Sequence, residues 1–256
     1  ATCGASRHAL LTGLRPAGEV DYGNRPFIVH KAELAARTTE SFPHLFKQNG
    51  YKTVVVGKVS HVGHDSGTDL TRSWSQVIPL KRRWGDRHNF INAYAQIEQP
   101  TKAPRPRNKG YPFEAAPVDD KGYPDGWVAE HAVNALRKLK DQPFFLAVGF
   151  MKPHLPFNAP QKYWDMHDLN AFPIAPDQTG PEWAPALAGK RGGEIVNYAP
   201  LTVENIREIS IQRKLMHGYY AAASYADAQI GKVLDKLDEL QLSEDTIVVL
   251  WGDHGW

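Results

Sequence analysis

Three short apolar runs, each followed directly by a polar loop, limit the possible folds of this chain more than any other feature. The runs are Lys52–Val56, Pro143–Phe150 and Thr246–Trp251, and a helical pattern precedes each of them. Runs of this length, rich in β-branched and aromatic residues, are typical of strands buried on both faces. Strands that alternate with helices predict an α/β fold, in which a mostly parallel central sheet is covered by helices.

Helical patterns occur at Ser6–Leu11, Phe42–Gln48, Trp127–Lys140 and about 204–240. Gly13 suits the left-handed end of the first helix, since glycine adopts positive φ without steric cost. The stretches from about 63 to 125 and from about 168 to 200 lack periodicity, which predicts long irregular segments of the kind that carry function.

The overall composition excludes several classes of protein. The chain has 256 residues, of which 42% are hydrophobic and 23% charged, and its net charge is +2. No apolar run approaches the roughly 18 residues of a membrane span, so we expect none. Without a long basic run, a nucleic-acid partner is not expected. The chain begins with Ala and ends just past its last predicted strand, so we expect residues 1–256 to be one partial domain, truncated at both ends.

A histidine follows each of the three predicted strands: His61, His154 and His254. Ligands of open α/β sheets bind at the carboxyl ends of the strands, so these side chains are candidates for a site. The alternative is that each is an ordinary surface or capping residue. Periodicity does not give the strand order, so it leaves open whether the three converge.

The segment from Cys3 to Arg7 places a cysteine next to a predicted helix start, with an arginine one turn later. Unpaired N–H groups and the helix dipole favour an anion there, and Arg7 would lie on the same face as Cys3. A nucleophile beside an arginine suits the stabilisation of an oxyanion. The alternative is a buried, inert thiol and an unrelated surface arginine.

The longer string from Cys3 to Gly13, with Arg15 and Pro16 after it, resembles the sulfatase signature, Cys-x-(Pro or Ala)-Ser-Arg followed by a Leu-Thr-Gly turn. Ala5 stands where many sulfatases have proline. Further stretches resemble the iduronate-2-sulfatase branch in order and spacing, namely Asn49–His61, Pro143–Phe157, Tyr219–Tyr225 and Gly252–Trp256. The resemblance implies an alkaline-phosphatase-like fold, of which this chain would lack the first strand and the C-terminal subdomain.

The resemblance also implies roles for individual residues. A formylglycine-generating enzyme would convert Cys3 to formylglycine, whose hydrate would serve as nucleophile and metal ligand. Arg7 would orient the hydrate and offset its charge. Lys58 and His61 would hold the hydrate and the sulfate oxygens.

Three loops would complete the site in this interpretation. His154 would lie beside the leaving oxygen, with Lys152 nearby as a substrate-binding residue. Asp253 and His254 would face a calcium ion, and Asp253 is the stronger candidate ligand because calcium prefers oxygen. Paired aspartates of the family pattern would precede residue 1. We therefore expect residues 1–256 alone to bind calcium weakly or not at all and to show no sulfatase activity.

The expected function is hydrolysis of a sulfate ester on a sulfated sugar, such as a 2-O-sulfated uronic acid of a glycosaminoglycan-type polysaccharide. The resemblance implies a periplasmic, secreted or lysosomal enzyme. Two alternatives remain open at this point. One is a phosphoester or phosphonate ester hydrolase of the same superfamily. The other is a non-catalytic relative that binds sulfated glycans.

Overall fold

The structure is a computed structural model that describes residues 2–17, 22–24, 40–61, 72–79, 93–96, 109–176, 182–183 and 193–255. These residues form two compact units. Unit 1 contains residues from 1–80, 128–150 and 230–256, and unit 2 contains residues from 81–127 and 151–229. Each unit has its own parallel sheet.

The regular elements alternate between helix and strand along the chain, as the sequence predicts. The helices are α1 (Cys3–Thr12), α2 (Phe42–Gln48), α3 (Pro124–Leu139), α4 (Gln161–Trp164) and α5 (Ile209–Glu239). The strands are β1 (Lys52–Gly57), β2 (Gln76–Ile78), β3 (Phe113–Ala116), β4 (Phe144–Gly149) and β5 (Phe157–Pro160). Among the residues that the structure describes, no helix is both long and apolar enough to cross a membrane.

The sheet of unit 1 has the strand order β2-β1-β4, and both pairings are parallel. Val54, Val55 and Val56 of the central strand β1 are buried, as expected of a strand covered on both faces. On one face, Val54 packs against Ala135 and Leu139 of α3. Helix α3 therefore covers this face of the sheet.

The opposite face of the same sheet packs against α2. Phe145, whose side chain points away from that of its neighbour Leu146, stacks on Phe46 with ring centroids 5.1 Å apart. Phe42 meets the same ring edge-on at 5.4 Å. The prediction of a parallel sheet covered by helices on both faces is thus confirmed for unit 1.

A pair of glycines closes the carboxyl ends of β1 and β4. Gly57 lies opposite Gly149 in the register, and the Lys58 N–H donates to the Gly149 carbonyl at 2.7 Å. Gly57 has φ +80°, and a Cβ there would lie 2.1 Å from the Gly149 oxygen. Glycine is required because a side chain would collide with the neighbouring strand, and this close approach sets the position of Lys58.

Unit 2 is built around the parallel pair β3–β5 and an aromatic core. Tyr123, Tyr163, Trp164 and Tyr225 pack together there with Ala116, Ala159 and Ala221. The Tyr225 hydroxyl accepts from the Gly126 N–H at 2.7 Å and donates to the Asp120 carbonyl at 2.7 Å. The first of these bonds ties α5 to the first turn of α3, where Asp125 also lies, and the second ties α5 to the segment before α3.

Four features differ from the sequence prediction. Helix α1 begins at Cys3 rather than Ser6, so Cys3 is the first helical residue. The irregular stretch from 63 to 125 contains β2 and β3, strands of three and four residues that are too short to show periodicity. The remainder of that stretch lies mostly outside the described residues. Strand β4 is only half-buried over most of its length, because it is an edge of the described sheet.

The fourth difference is that the predicted strand Thr246–Trp251 is wrong: the segment has no strand pairing in the part of the protein described. Ile247 is 92% exposed and Val249 80% exposed. An apolar β-branched run favours an extended backbone, but a strand forms only when a neighbour accepts its hydrogen bonds. No described strand lies beside this segment to do so.

Candidate active site

Cys3 lies at the start of α1 with polar groups around its sulfur. Its side chain is buried, and Sγ lies 2.9 Å from His254 Nε2. The Lys58 ammonium is 3.8 Å from the same sulfur. Residues from the first helix, the loop after β1 and the end of the chain therefore meet at Cys3, all within unit 1.

The tautomer of His254 follows from its second contact. Its Nδ1 lies 3.0 Å from the Gly255 carbonyl oxygen, which can only accept a hydrogen bond. The proton of a neutral His254 is therefore on Nδ1, and the lone pair of Nε2 faces the sulfur. A protonated Cys3 thiol donates to this nitrogen.

Arg7 joins three chain segments. Its Nε donates to Asp253 Oδ2 at 2.8 Å, and its terminal nitrogen donates to the carbonyls of Lys58 and, at 3.1 Å, Val59. The spacing of Cys3 and Arg7 by one helical turn places both on the face of α1 that meets Asp253 and His254. The guanidinium thus holds the loop after β1 against the residue that precedes His254.

Two further residues of this cluster were not among the predicted site residues. The Ser6 hydroxyl donates to the Asp253 carbonyl at 2.6 Å, which anchors the backbone between Asp253 and His254. Asn24 Oδ1 accepts from the Gly4 N–H at 3.0 Å and so caps the first turn of α1. Ser6 is part of the sulfatase signature, so the sequence alone could have indicated that it belongs to the site. Nothing local to Asn24 indicates its contact with a helix twenty residues away.

The ionisation of Cys3 and Asp253 reflects burial and the cations beside them. Burial raises the pKa of the Cys3 thiol, and Asp253 adds to this, while the charges of Lys58 and Arg7 oppose it. Burial also acts to raise the pKa of Asp253, but the Arg7 charge and hydrogen bond, with His254 and Lys58, hold it below its usual value. At neutral pH the site therefore contains a thiol and a carboxylate.

Of the other predicted site residues, His61 belongs to unit 1, where it is half-buried three residues after Lys58. Lys152 and His154 lie in unit 2, in the loop that follows β4. Five of the eight predicted residues are therefore brought together around the sulfur, namely Cys3, Arg7, Lys58, Asp253 and His254.

The loop of Lys152 and His154 is held by its own contacts. The Lys152 ammonium donates to the carbonyls of His154, at 3.1 Å, and of Pro156. His154 Nδ1 lies 2.5 Å from the Leu155 carbonyl oxygen, so this nitrogen carries a proton and Nε2 is the nitrogen that gains or loses one. At the start of the loop, the N–H groups of Met151 and Lys152 each donate to Asp125 at 2.8 Å.

A carboxylate in unit 2 interacts with His154. Burial acts to raise the pKa of Glu194, but a hydrogen bond from Lys109 and the charges of His154 and Lys109 hold that pKa below its usual value. Lys109 Nζ lies 2.7 Å from Glu194 Oε1. Glu194 is therefore a carboxylate at neutral pH, and its charge interacts with the His154 imidazole.

The donor atoms near Cys3 can be compared with the needs of a metal ion. Cys3 Sγ, a carboxylate oxygen of Asp253 and His254 Nε2 lie within 4.8 Å of one another. Calcium takes about six to eight oxygen ligands. This set offers one carboxylate, which Arg7 already contacts, so these three residues alone do not fit calcium.

Comparison with known proteins places the chain in a family. The Sulfatase family model matches residues 1–256. This chain belongs to the sulfatase family. Enzymes of this family are sulfuric ester hydrolases that use a formylglycine residue and a metal.

Individual sulfatases match the full length of the chain. It is 33% identical to human iduronate 2-sulfatase, over 100% of this chain and 46% of that protein. It is 30% identical to a sulfatase of Formosa agariphila, over 99% of this chain and 49% of that protein. A choline-sulfatase of Rhizobium meliloti is 24% identical, over 99% of this chain and 48% of that protein. The chain thus spans about half the length of the curated relatives it matches.

The fold agrees with this family. The crystal structure of yidJ from Bacteroides fragilis, a predicted sulfatase, matches with a TM-score of 0.51 and 16% sequence identity. The match covers 93% of this chain and 49% of that one. The expected alkaline-phosphatase-like fold, with parallel strands and helices, is confirmed.

Proposed function

We propose that the protein containing this sulfatase-family chain removes sulfate from a sulfated sugar, using a formylglycine formed from Cys3. The observation that carries the proposal is the cluster of Lys58, Arg7 and His254 around a buried Cys3. A sulfate monoester is an anion that repels nucleophiles, and two fixed cations beside the nucleophile reduce this repulsion.

The surroundings of Sγ suit a formylglycine side chain. An oxygen attached in its place has an ammonium and an imidazole as polar neighbours, so both donors and acceptors are available to it. The hydrated aldehyde would supply the nucleophilic oxygen that attacks sulfur and a second hydroxyl whose deprotonation releases sulfate.

The chain's own residues move protons and hold charge in this proposal. His254 Nε2 has a lone pair toward position 3 and can accept a proton there. Lys58 attracts the sulfate oxygens, a role that the proposal also gives to His61, and Arg7 holds Asp253 and the Lys58 backbone in place. His154 Nε2 gives its proton to the departing sugar oxygen, a step that contributes roughly a hundred- to ten-thousandfold to the rate of such reactions.

Calcium is the metal that we propose for the whole protein, with Asp253 as the ligand this chain offers. The described donor atoms do not by themselves fit calcium, so no step of the reaction is assigned to the ion.

We also propose that a formylglycine-generating enzyme modifies Cys3, and that the protein acts in a periplasmic, secreted or lysosomal compartment, as its likeness to iduronate 2-sulfatase suggests.

The test begins with Cys3. Co-expression of the complete reading frame with a formylglycine-generating enzyme is expected to replace the thiol by an aldehyde, seen as loss of sulfur and gain of oxygen in the peptide mass. Cys3→Ala is expected to abolish turnover and to change the free energy of unfolding little. An unmodified thiol under these conditions would remove the central claim.

The same preparation separates the two alternative functions. Rates on paired aryl sulfate and aryl phosphate esters are expected to favour the sulfate. Faster hydrolysis of the phosphate would indicate a phosphoester hydrolase. Binding of a sulfated glycan without turnover, despite a confirmed aldehyde, would indicate a non-catalytic binding protein.

A further inference from the structure

We propose that Asp125 and Lys152 are positioning residues that fix the loop carrying His154, and that Lys152 holds this loop rather than binding substrate. The inference rests on the proposed role of His154 as the proton donor. It concerns unit 2 only, where all three residues lie.

Asp125 holds the start of the loop. The residue is 1% exposed, and its two carboxylate oxygens accept from the consecutive N–H groups of Met151 and Lys152, each at 2.8 Å. It also lies in the first turn of α3, where the helix dipole stabilises a negative charge. A buried carboxylate that uses both oxygens on two neighbouring amides fixes the backbone at the start of the loop.

Lys152 holds the rest of the loop from within. Its side chain is folded back, its residue is 8% exposed, and its ammonium donates to the carbonyls of His154 and Pro156. Those carbonyls lie two and four residues further along, so the ammonium closes the loop into a compact turn. Donors already pointed at backbone oxygens are poorly placed to hold a sulfate.

His154 is the residue between these two anchors. Its N–H donates to the Met151 carbonyl at 3.0 Å, and its ring Nδ1 contacts the Leu155 carbonyl oxygen. Nε2 is the ring nitrogen to which the proposed function assigns the proton transfer. The backbone on both sides of His154 is therefore held by buried charged groups. A displacement of about 1 Å in a catalytic group can cost roughly a hundredfold in rate, so loss of either anchor should act through His154.

The kinetic test uses the protein from its complete reading frame, carrying formylglycine. Lys152→Met keeps the length of the side chain but removes the ammonium, and Lys152→Arg keeps a positive charge with a different shape. Both variants are expected to lower kcat at least about tenfold on an alkyl sulfate, with KM little changed and a smaller loss on nitrophenyl sulfate, which needs little protonation. The exposed Lys140→Met is the matched control, expected to leave both parameters unchanged.

A double substitution separates positioning from substrate binding. If Lys152 acts through His154, then Lys152→Met adds little further loss of kcat in a His154→Ala background. The opposite result would be that Lys152→Met raises KM on both substrates, also in the His154→Ala background, and that Lys152→Arg returns KM to its original value. This would show that Lys152 binds the sulfate group and would overturn the proposal.

A second measurement does not depend on turnover. In Asp125→Asn, one oxygen of the acceptor pair is replaced by an amide that faces an N–H, so hydrogen exchange at Met151 and Lys152 should quicken at least about tenfold. The exposed Asp141→Asn is the control. Unchanged exchange at the two amides would overturn the role of Asp125. Absence of sulfate ester hydrolysis in the unsubstituted protein would instead contradict the proposed function, while this exchange result would still decide whether Asp125 anchors the loop.

Discussion

At the scale of single residues, the ion pair between Arg7 and Asp253 organises the candidate active site. Both side chains are mostly buried, at 12% and 15% exposed, and Arg7 also holds two backbone carbonyls of the loop after β1. Removing one partner of a buried pair leaves a charge without compensation. Arg7 therefore contributes to the fold as well as to the proposed chemistry.

The pH dependence of stability tests this ion pair. Because the pKa of Asp253 is held below its usual 3.8, the pair stabilises the fold above that pH and loses this contribution as pH falls through the folded pKa. In Arg7→Met, only the charges of His254 and Lys58 still oppose the effect of burial, so the pKa of Asp253 should rise. We expect Arg7→Met to cost about 2–4 kcal/mol near pH 7 and clearly less near pH 3.

The measurement is urea unfolding at both pH values with a chelator present, so that no metal shares the carboxylate. Arg137→Met, at an exposed position on α3, is the control and should change stability little at either pH. A loss from Arg7→Met that is the same at both pH values would mean that Asp253 does not sense the guanidinium charge.

At the scale of elements, the ends of β1 and β4 decide where Lys58 lies. The two strands approach so closely at Gly57 and Gly149 that neither position has room for a Cβ. At Gly149 a Cβ would lie 2.1 Å from the Lys58 carbonyl carbon. The ends of the two strands thus set the position of the Lys58 backbone. From there the side chain extends, which brings its ammonium near Cys3.

Substitution of Gly57 tests this account, with Gly50 as a matched control. Both have positive φ, +80° and +85°, but the space around Gly50 is open. Gly50→Ala should lower the free energy of unfolding only by the cost of a left-handed conformation, about 1–2 kcal/mol. Gly57→Ala should lose clearly more free energy of unfolding, because its Cβ collides with the Gly149 oxygen. Equal losses in urea unfolding would show that the strands separate at no cost.

At the scale of the whole molecule, the donor set near Cys3 and the length of the relatives lead to the same expectation about metal binding. The chain spans about half of the curated relatives that it matches, and its described metal-binding candidates include one carboxylate. Calcium binds through many oxygens, so one carboxylate supplies only part of its coordination shell.

Calorimetric titration tests this expectation. Residues 1–256 alone should bind calcium weakly or not at all, whereas the protein from the complete reading frame should bind it. Asp253→Asn should weaken that binding substantially, and Asp245→Asn, at an exposed position eight residues earlier in the chain, should not. Tight binding by residues 1–256 would mean that their own side chains complete the site.

Local pattern was enough to predict most of the elements and the chemical groups near Cys3. Helix α2 has the bounds that its proline and its Asn-Gly exit predict, and β1 lies within one residue of its apolar run. The signature from Cys3 to Arg7 identified residues that meet Asp253 and His254. These features depend on short-range periodicity, capping and motif spacing, which are written in consecutive residues.

The sequence by itself therefore determined the α/β class, the family and the inventory of reactive groups. Only the tertiary structure decided which of these groups are neighbours and how each is held. Ser6, Asn24 and Asp125 act through contacts with backbone groups 20 to 247 residues away in the chain, and no local pattern encodes such contacts. Thr246–Trp251 shows the converse, since its strand-like composition does not form a strand without a neighbouring backbone to complete the hydrogen bonds.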